Sequence, residues 1–425
     1  YTDSWGVANI PVAAIGTYTI SSDRSGVVFP EDPIVEISEY LSVANLECEF
    51  FVEYTVRIDE NNSNPLTCCE YLDDAENMVK GSDDWDTSAI FNDIKPCTFI
   101  KGEVNYYLDK NDFNLKENGD EANLTGTDGD VMIEFPKFAY RLYREENEEE
   151  GSSYLYVSMT NNKDKVEEDG RYHYYAFSKE EEGDRDKFYL GAYISSMIKN
   201  RYYSLPNQSI SGNEASLSYA LTQIQEGCQK KGDGYTYLGF YQLLAIQCLY
   251  VIKYGNLNSQ EALGCGVSYG SIIETGGTEK KGMYYGERDN YGSHCKFAGL
   301  EDVFGNVGIL IRGASRSSVD TYSARYDYDK LTEKENFTLS MDLPSNSYAY
   351  TKKVVGTTEF GFLRLEGNAS SNTYYCDYGF YGQTGNLVFS KSASSHEKTW
   401  DGIFYSDIYG YTAQSTPYYN RLMYL

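Results

Sequence analysis

Thr236-Tyr-Leu-Gly-Phe-Tyr-Gln-Leu-Leu-Ala-Ile-Gln-Cys-Leu-Tyr-Val-Ile-Lys-Tyr254 is apolar nearly all round when wound as a helix. Leu238, Leu243, Leu244, Ile246, Leu249, Val251 and Ile252 leave it no polar face. Such a helix is expected at the centre of a domain, ending at Gly255, where a left-handed cap fits. Directly after it, Asn258-Ser-Gln-Glu261 has a capping residue followed three positions on by an acid, which predicts a short turn stopped by Gly264. Upstream, Leu217, Ala220, Leu221 and Ile224 recur at helical spacing between Asn213 and Glu226, with Gly227 as the expected cap.

The segments around these helices read as strands. Thr17-Tyr-Thr-Ile-Ser21 and Glu49-Phe-Phe-Val-Glu-Tyr-Thr-Val-Arg-Ile58 alternate β-branched and aromatic residues. Val131 to Tyr143 and Tyr154 to Met159 predict a hairpin with a charged tip, Arg144 to Gly151, whose run Glu145 to Glu150 is solvated because packed like charges repel. Beyond Gly264 come short strand-like runs such as Val307 to Ile311 and Thr358 to Leu365. The fold class expected is α+β.

Asp59-Glu-Asn-Asn-Ser-Asn-Pro65 lacks large apolar residues and carries turn formers, which suggests a link. The expected organisation is a β-rich N-terminal assembly region over 1–65, a loop-rich connecting segment over 66–130, and a ligand-binding domain over 131–425. Asp109-Lys-Asn-Asp-Phe-Asn114 superficially suggests a calcium loop, but Phe113 and Asn114 replace the oxygen ligand and glycine that an EF-hand requires.

With 36 basic against 64 acidic residues in 425, the formal charge is −28. That balance opposes nucleic acid and anionic membranes, both of which are bound through Lys and Arg. The longest apolar stretch, Leu243 to Ile252, falls far short of the roughly 20 residues that span a bilayer, so no membrane insertion is expected. The nine cysteines show no CxxC spacing and are expected to be mostly buried thiols. His173, His294 and His396 are the whole histidine supply, in separate segments, which weighs against acid–base catalysis. No catalytic residue, metal or cofactor is expected.

Asp130-Val-Met-Ile-Glu-Phe-Pro-Lys-Phe138, the apolar helix with Tyr254 to Gly264, Lys281-Gly-Met-Tyr-Tyr-Gly286, Gly299-Leu-Glu-Asp-Val-Phe-Gly-Asn-Val307 and Arg421-Leu-Met-Tyr-Leu425 carry a family likeness. The chain resembles phage and prophage tail minor structural proteins. Their C-terminal part is similar to the C-type-lectin fold of formylglycine-generating enzymes and of diversity-generating-retroelement variable proteins, such as the phage major tropism determinant. The resemblance implies that the Ile133 to Tyr143 strand lies beside Tyr418 to Leu425, and that Gly305-Asn306 forms a tight turn opening a core strand. It also implies a virion-tail or extracellular location. Where relatives place tryptophans after that turn, this chain has Val307-Gly-Ile-Leu-Ile-Arg312.

Ten of the 43 tyrosines fall between Tyr374 and Tyr424. Tyrosine suits recognition, since a rigid amphipathic ring gives contact area at small entropic cost. The polar run Ser390 to Trp400 is expected to be an exposed loop. The expected ligand-binding residues are Tyr381, Lys391, Ser394, His396, Glu397, Lys398, Trp400, Tyr405, Tyr409, Tyr411, Tyr418 and Tyr419. Phe404 and Tyr424 are expected in the core. In the resembling retroelement proteins this stretch is diversified by adenine-directed changes, which cannot produce Glu397, Lys398, Trp400 or Gln414 from the usual Asn codons.

The expected function is non-enzymatic recognition of a bacterial surface glycan or protein by a homo-oligomer, for which a trimer would add avidity. The alternatives are a structural tail or filament subunit with the tyrosines buried between copies, and an enzyme of the formylglycine-generating type. The latter needs a cysteine pair near the C-terminus, and Cys376 alone follows Cys295.

Overall fold

A computed structural model describes residues 51–147, 149–179, 183–210, 217–318, 321–325, 337–340, 348–380, 385–389, 401–410 and 419–425, together with four short strands before residue 51. The chain divides into two compact units, Tyr1–Val52 and Glu53–Leu425. In the first, Gly16–Thr19 pairs with Ile34–Ile37 and Val27–Val28 with Glu49–Phe50, all antiparallel. The second is α+β and carries everything that follows.

The division falls between residues 52 and 53, not at the expected 65. The strand Glu53–Asp59 pairs with Ser152–Thr160 on one side and Cys69–Asp73 on the other, which fixes it within the larger unit. Nor is 66–130 a connector. Lys95–Ile100 pairs with both Glu103–Tyr107 and Asp130–Pro136, so this segment supplies two strands of a six-stranded sheet.

The expected hairpin forms between Ala139–Asn147 and Ser152–Thr160. Its predecessor Asp130–Pro136 belongs to the other sheet, the chain passing from one to the other at Pro136, which cannot donate to a ladder. Its strands reach further than expected, so Glu145 and Glu146 are exposed within the ladder, opposite Tyr154 and Ser153, and Glu149 and Glu150 are exposed at the tip.

Leu142, Val157, Val56 and Tyr71 stand in one cross-strand row on the buried face of the four-stranded sheet. The apolar helix packs on this sheet and on the strand Ile309–Ser318. It runs from Phe240 to Tyr254 and is buried from Phe240 through Lys253. Its polar residues survive burial by finding partners: Gln242 donates to the Ala176 carbonyl at 2.5 Å, Gln247 to that of Ile403 at 2.9 Å, and Lys253 to Asp86. It begins later than the periodicity suggests because Tyr235–Tyr237 is a strand paired with Leu422–Tyr424. It ends as expected at Gly255, left-handed at φ 50°. Asn258 caps the Ser259–Leu263 helix through the Glu261 amide.

The other helix runs from Leu217 to Gln229, straight through Gly227. A side chain there would meet the Tyr202 ring at 2.7 Å, so this glycine is a packing residue and not a cap. The terminal strand Leu422–Tyr424 lies between Lys187–Gly191 and Tyr235–Tyr237, one strand removed from Asp130–Pro136, its expected neighbour.

Candidate functional site: a buried histidine–carboxylate cluster and the tyrosine-bearing sheet

Lys296–Phe297 and Leu300–Glu301 form a tight hairpin through Ala298 and Gly299, both at positive φ (50° and 80°), as a two-residue turn of this hand requires. The hairpin folds His294 back onto Asp302. Nδ1 of His294 lies 3.0 and 2.9 Å from the two carboxylate oxygens of Asp302 and 3.8 Å from Oε1 of Glu301. Next comes the expected tight turn, with Gly305 at φ 81° and Asn306 at 63°, leading into the core strand Ile309–Ser318. Asn306 is fully buried and donates to Asp302 at 2.8 Å, while its amide oxygen accepts from Ile273 N–H at 3.0 Å.

Glu301 and Asp302 are each 1% exposed. The Glu301 carboxylate accepts from the Gly276 amide at 2.6 Å and the Thr278 hydroxyl at 2.5 Å. Burial and the adjacent Asp302 charge push its pKa up to about 7. Burial would lower the His294 value, but the bond and charge of Asp302, with Glu301 and Glu279, outweigh it and raise it to about 9. Buried Lys296 is brought down to about 8 by desolvation, opposed by Glu301 and Glu279. Its ammonium donates to the Thr278 carbonyl at 2.9 Å and lies 3.6 Å from the Phe113 ring centroid. Phe113 is therefore a core residue, which explains its place in the segment that suggested a calcium loop. The ligand atoms of His294, Glu301 and Asp302 lie within 4.8 Å of one another, the group of metal-ligating side chains that stands out among the described residues.

Sequence reading missed this cluster by treating His294 as isolated. The available signal was Ala298-Gly299 midway between Lys296 and Glu301, a turn that returns the flanking residues to each other.

Three described strands of the tyrosine-rich segment belong to a seven-stranded sheet ordered Phe337–Ser340, Thr321–Ala324, Ile309–Ser318, Gly385–Phe389, Ser406–Gly410, Tyr378–Phe380, Tyr348–Tyr350. Two expected binding residues are instead interior. Tyr405 is 0% exposed, and Tyr419 is 6% exposed, its carbonyl accepting from Leu310 N–H at 2.9 Å. Tyr419 is drawn inward by its backbone pairing with Ile309 and Leu310 of the core strand, and Tyr405 stands next to Ser406, which pairs with Phe389, so these two rings form no exposed face. Tyr409 lies in the Ser406–Gly410 strand opposite Asn386. Tyr381, Lys391, Ser394, His396, Glu397, Lys398, Trp400, Tyr411 and Tyr418 lie outside the described residues. Phe404 is buried against Tyr250, Phe362 and Tyr375, and half-buried Tyr424 packs on Phe99, Tyr189 and Tyr235, as expected of core residues.

In that sheet Phe389 pairs with Ser406 and Gly385 with Gly410, antiparallel, and Phe380 pairs with Asp407 in parallel.

The eight described cysteines are free and buried, as expected of core thiols. Among the described residues, no helix is long and apolar enough to cross a membrane. No protein-family model matches the chain, and no curated protein matches it.

Proposed function

We propose that this chain is a non-enzymatic receptor-binding protein of the phage or prophage tail type, whose C-type-lectin-like domain meets a bacterial surface glycan or protein through its tyrosine-rich C-terminal part. The observation that carries this reading is the enclosure of the histidine–carboxylate cluster. Both Glu301 oxygens and the Asp302 carboxylate are occupied by donors from the chain itself, at 1% exposure, which suits a structural fastening better than turnover. Recognition then falls to the connections between strands of the seven-stranded sheet, where a rigid scaffold carries variable surface.

Attachment of the labelled protein to bacterial cells tests the reading. Trp400→Ala and Tyr409→Ala are expected to abolish attachment with the melting temperature nearly unchanged. Loss of fold in parallel with attachment would overturn the site. A homotypic assembly that buries Trp400 between copies would favour a structural subunit. Turnover of an ester, sulfatase peptide or glycan, lost in a single carboxylate variant, would overturn the non-enzymatic reading.

A further inference from the structure

We propose that His294, Glu301 and Asp302 bind one divalent metal ion of the zinc class, through Nδ1 of the imidazole and one oxygen from each carboxylate. The spacing fits. Ligands about 2.0–2.2 Å from a tetrahedral ion stand about 3.4 Å from one another. Nδ1 of His294 is 2.9 Å from Oδ2 of Asp302 and 3.8 Å from Oε1 of Glu301, values on either side of that separation. A mixed nitrogen and oxygen set of this kind suits zinc better than calcium, which prefers six or more oxygens.

The carboxylates are also held in the manner of metal ligands. The Gly276 amide and Thr278 hydroxyl orient Glu301, and the Asn306 amide orients Asp302, each by a hydrogen bond to a carboxylate oxygen. These donors are fixed by buried backbone, so the ligand oxygens are set in place before any ion arrives.

Charge supplies the third argument. Two buried cations lie beside the cluster, and the bonds they make go to main-chain carbonyls and not to its carboxylates. Lys296 donates to the Thr278 carbonyl and faces the Phe113 ring. Arg421 is directed to the carbonyls of Gly191, Ala192, Glu301 and Asp302. Glu279, the remaining nearby acid, accepts from the Tyr193 hydroxyl and the Gly277 amide. Two adjacent buried carboxylates therefore share one imidazole, which reaches Asp302 at hydrogen-bond distance but not Glu301. A divalent ion at the centre of the three would contact both. The His294 side chain is 12% exposed, which puts the site within reach of solvent. The inference does not depend on the receptor-binding reading.

The full chain, stripped with chelator, would be titrated at pH 8 with Zn²⁺, Mn²⁺ and Ca²⁺ separately by calorimetry. Zn²⁺ is expected to bind one per chain and to raise the melting temperature. His294→Gln should weaken binding at least 100-fold. Thr278→Val, which removes an orienting donor and leaves all three ligands, should weaken it 10- to 100-fold while circular dichroism stays native. No binding of any of the three ions to folded wild-type protein would overturn the proposal, leaving an imidazolium–carboxylate pair. Undiminished Zn²⁺ binding in folded His294→Gln would overturn it equally.

Discussion

The guanidinium of Arg421 donates to the main-chain carbonyl of Glu301 at 2.5 Å, and the same fork takes the carbonyls of Asp302, Gly191 and Ala192 at 3.0, 2.7 and 3.1 Å. Four carbonyls from two separate segments thus converge on one fully buried side chain near the C-terminus. Burial lowers its pKa to about 10, with Asp302 and Glu301 opposing the shift, so the group remains charged at neutral pH. Arg421→Lys keeps the charge but loses the planar fork, leaving carbonyls unpaired. It is expected to cost about 3 kcal/mol in urea denaturation, at one to three per orphaned buried group.

Gly227→Ala sets helix propensity against packing. In an exposed helix interior, alanine would be worth about 1 kcal/mol over glycine. Here the added methyl meets the fully buried Tyr202 ring at 2.7 Å. The variant is expected to lose about 1–3 kcal/mol through overpacking. A higher melting temperature than wild type would show that the ring yields.

Tyr405 and Tyr409 should separate in the same assay. Tyr405 is sealed in the core, so Tyr405→Ala is expected to cost about 3–5 kcal/mol. Tyr409→Ala is expected to leave thermal unfolding nearly unchanged while removing attachment to cells.

Asp169 gives an acid-range signature. The Arg171 side chain and amide hydrogen-bond it, with Arg141 close by, and together they overcome desolvation to hold its pKa down at about 2. A folded value below the unfolded one means that this stabilisation is present above about pH 4 and lost as pH falls through 2. The group is partly solvated, so the contribution is about 1 kcal/mol. Asp169→Asn should lower stability at pH 6 by that amount and make no difference at pH 1.5, measured by chemical denaturation.

Glu134 accepts from Lys187 at 2.7 Å and from the hydroxyls of Tyr107 and Tyr189 at 3.0 and 2.9 Å, joining three strands of the six-stranded sheet. Glu134→Ala is expected to cost about 2–3 kcal/mol at neutral pH, because hydrogen bonds to a charged group are among the stronger ones. Glu134→Gln should recover part of that loss.

Features with a local cause were legible along the chain. The all-round apolar Phe240–Tyr254 helix could only be central, Gly255 and Asn258 could be read as caps, and the Ala139–Thr160 hairpin followed from alternation. Phe404 and Tyr424 were recognisable as core for the same reason. Tertiary structure decided what depends on distant partners. Glu53–Asp59 joined the larger unit because Ser152–Thr160 pairs with it, against the turn signals that suggested a boundary at 65. Gly227 was claimed by Tyr202, and Tyr405 and Tyr419 were drawn inward, although their composition suggested a surface. The histidine–carboxylate cluster arose where a two-residue turn brought His294 to Asp302, and loop 276–278 supplied donors from outside the hairpin. Periodicity records which face of an element is apolar; it does not record which other element will cover that face, and that choice placed these charges and tyrosines.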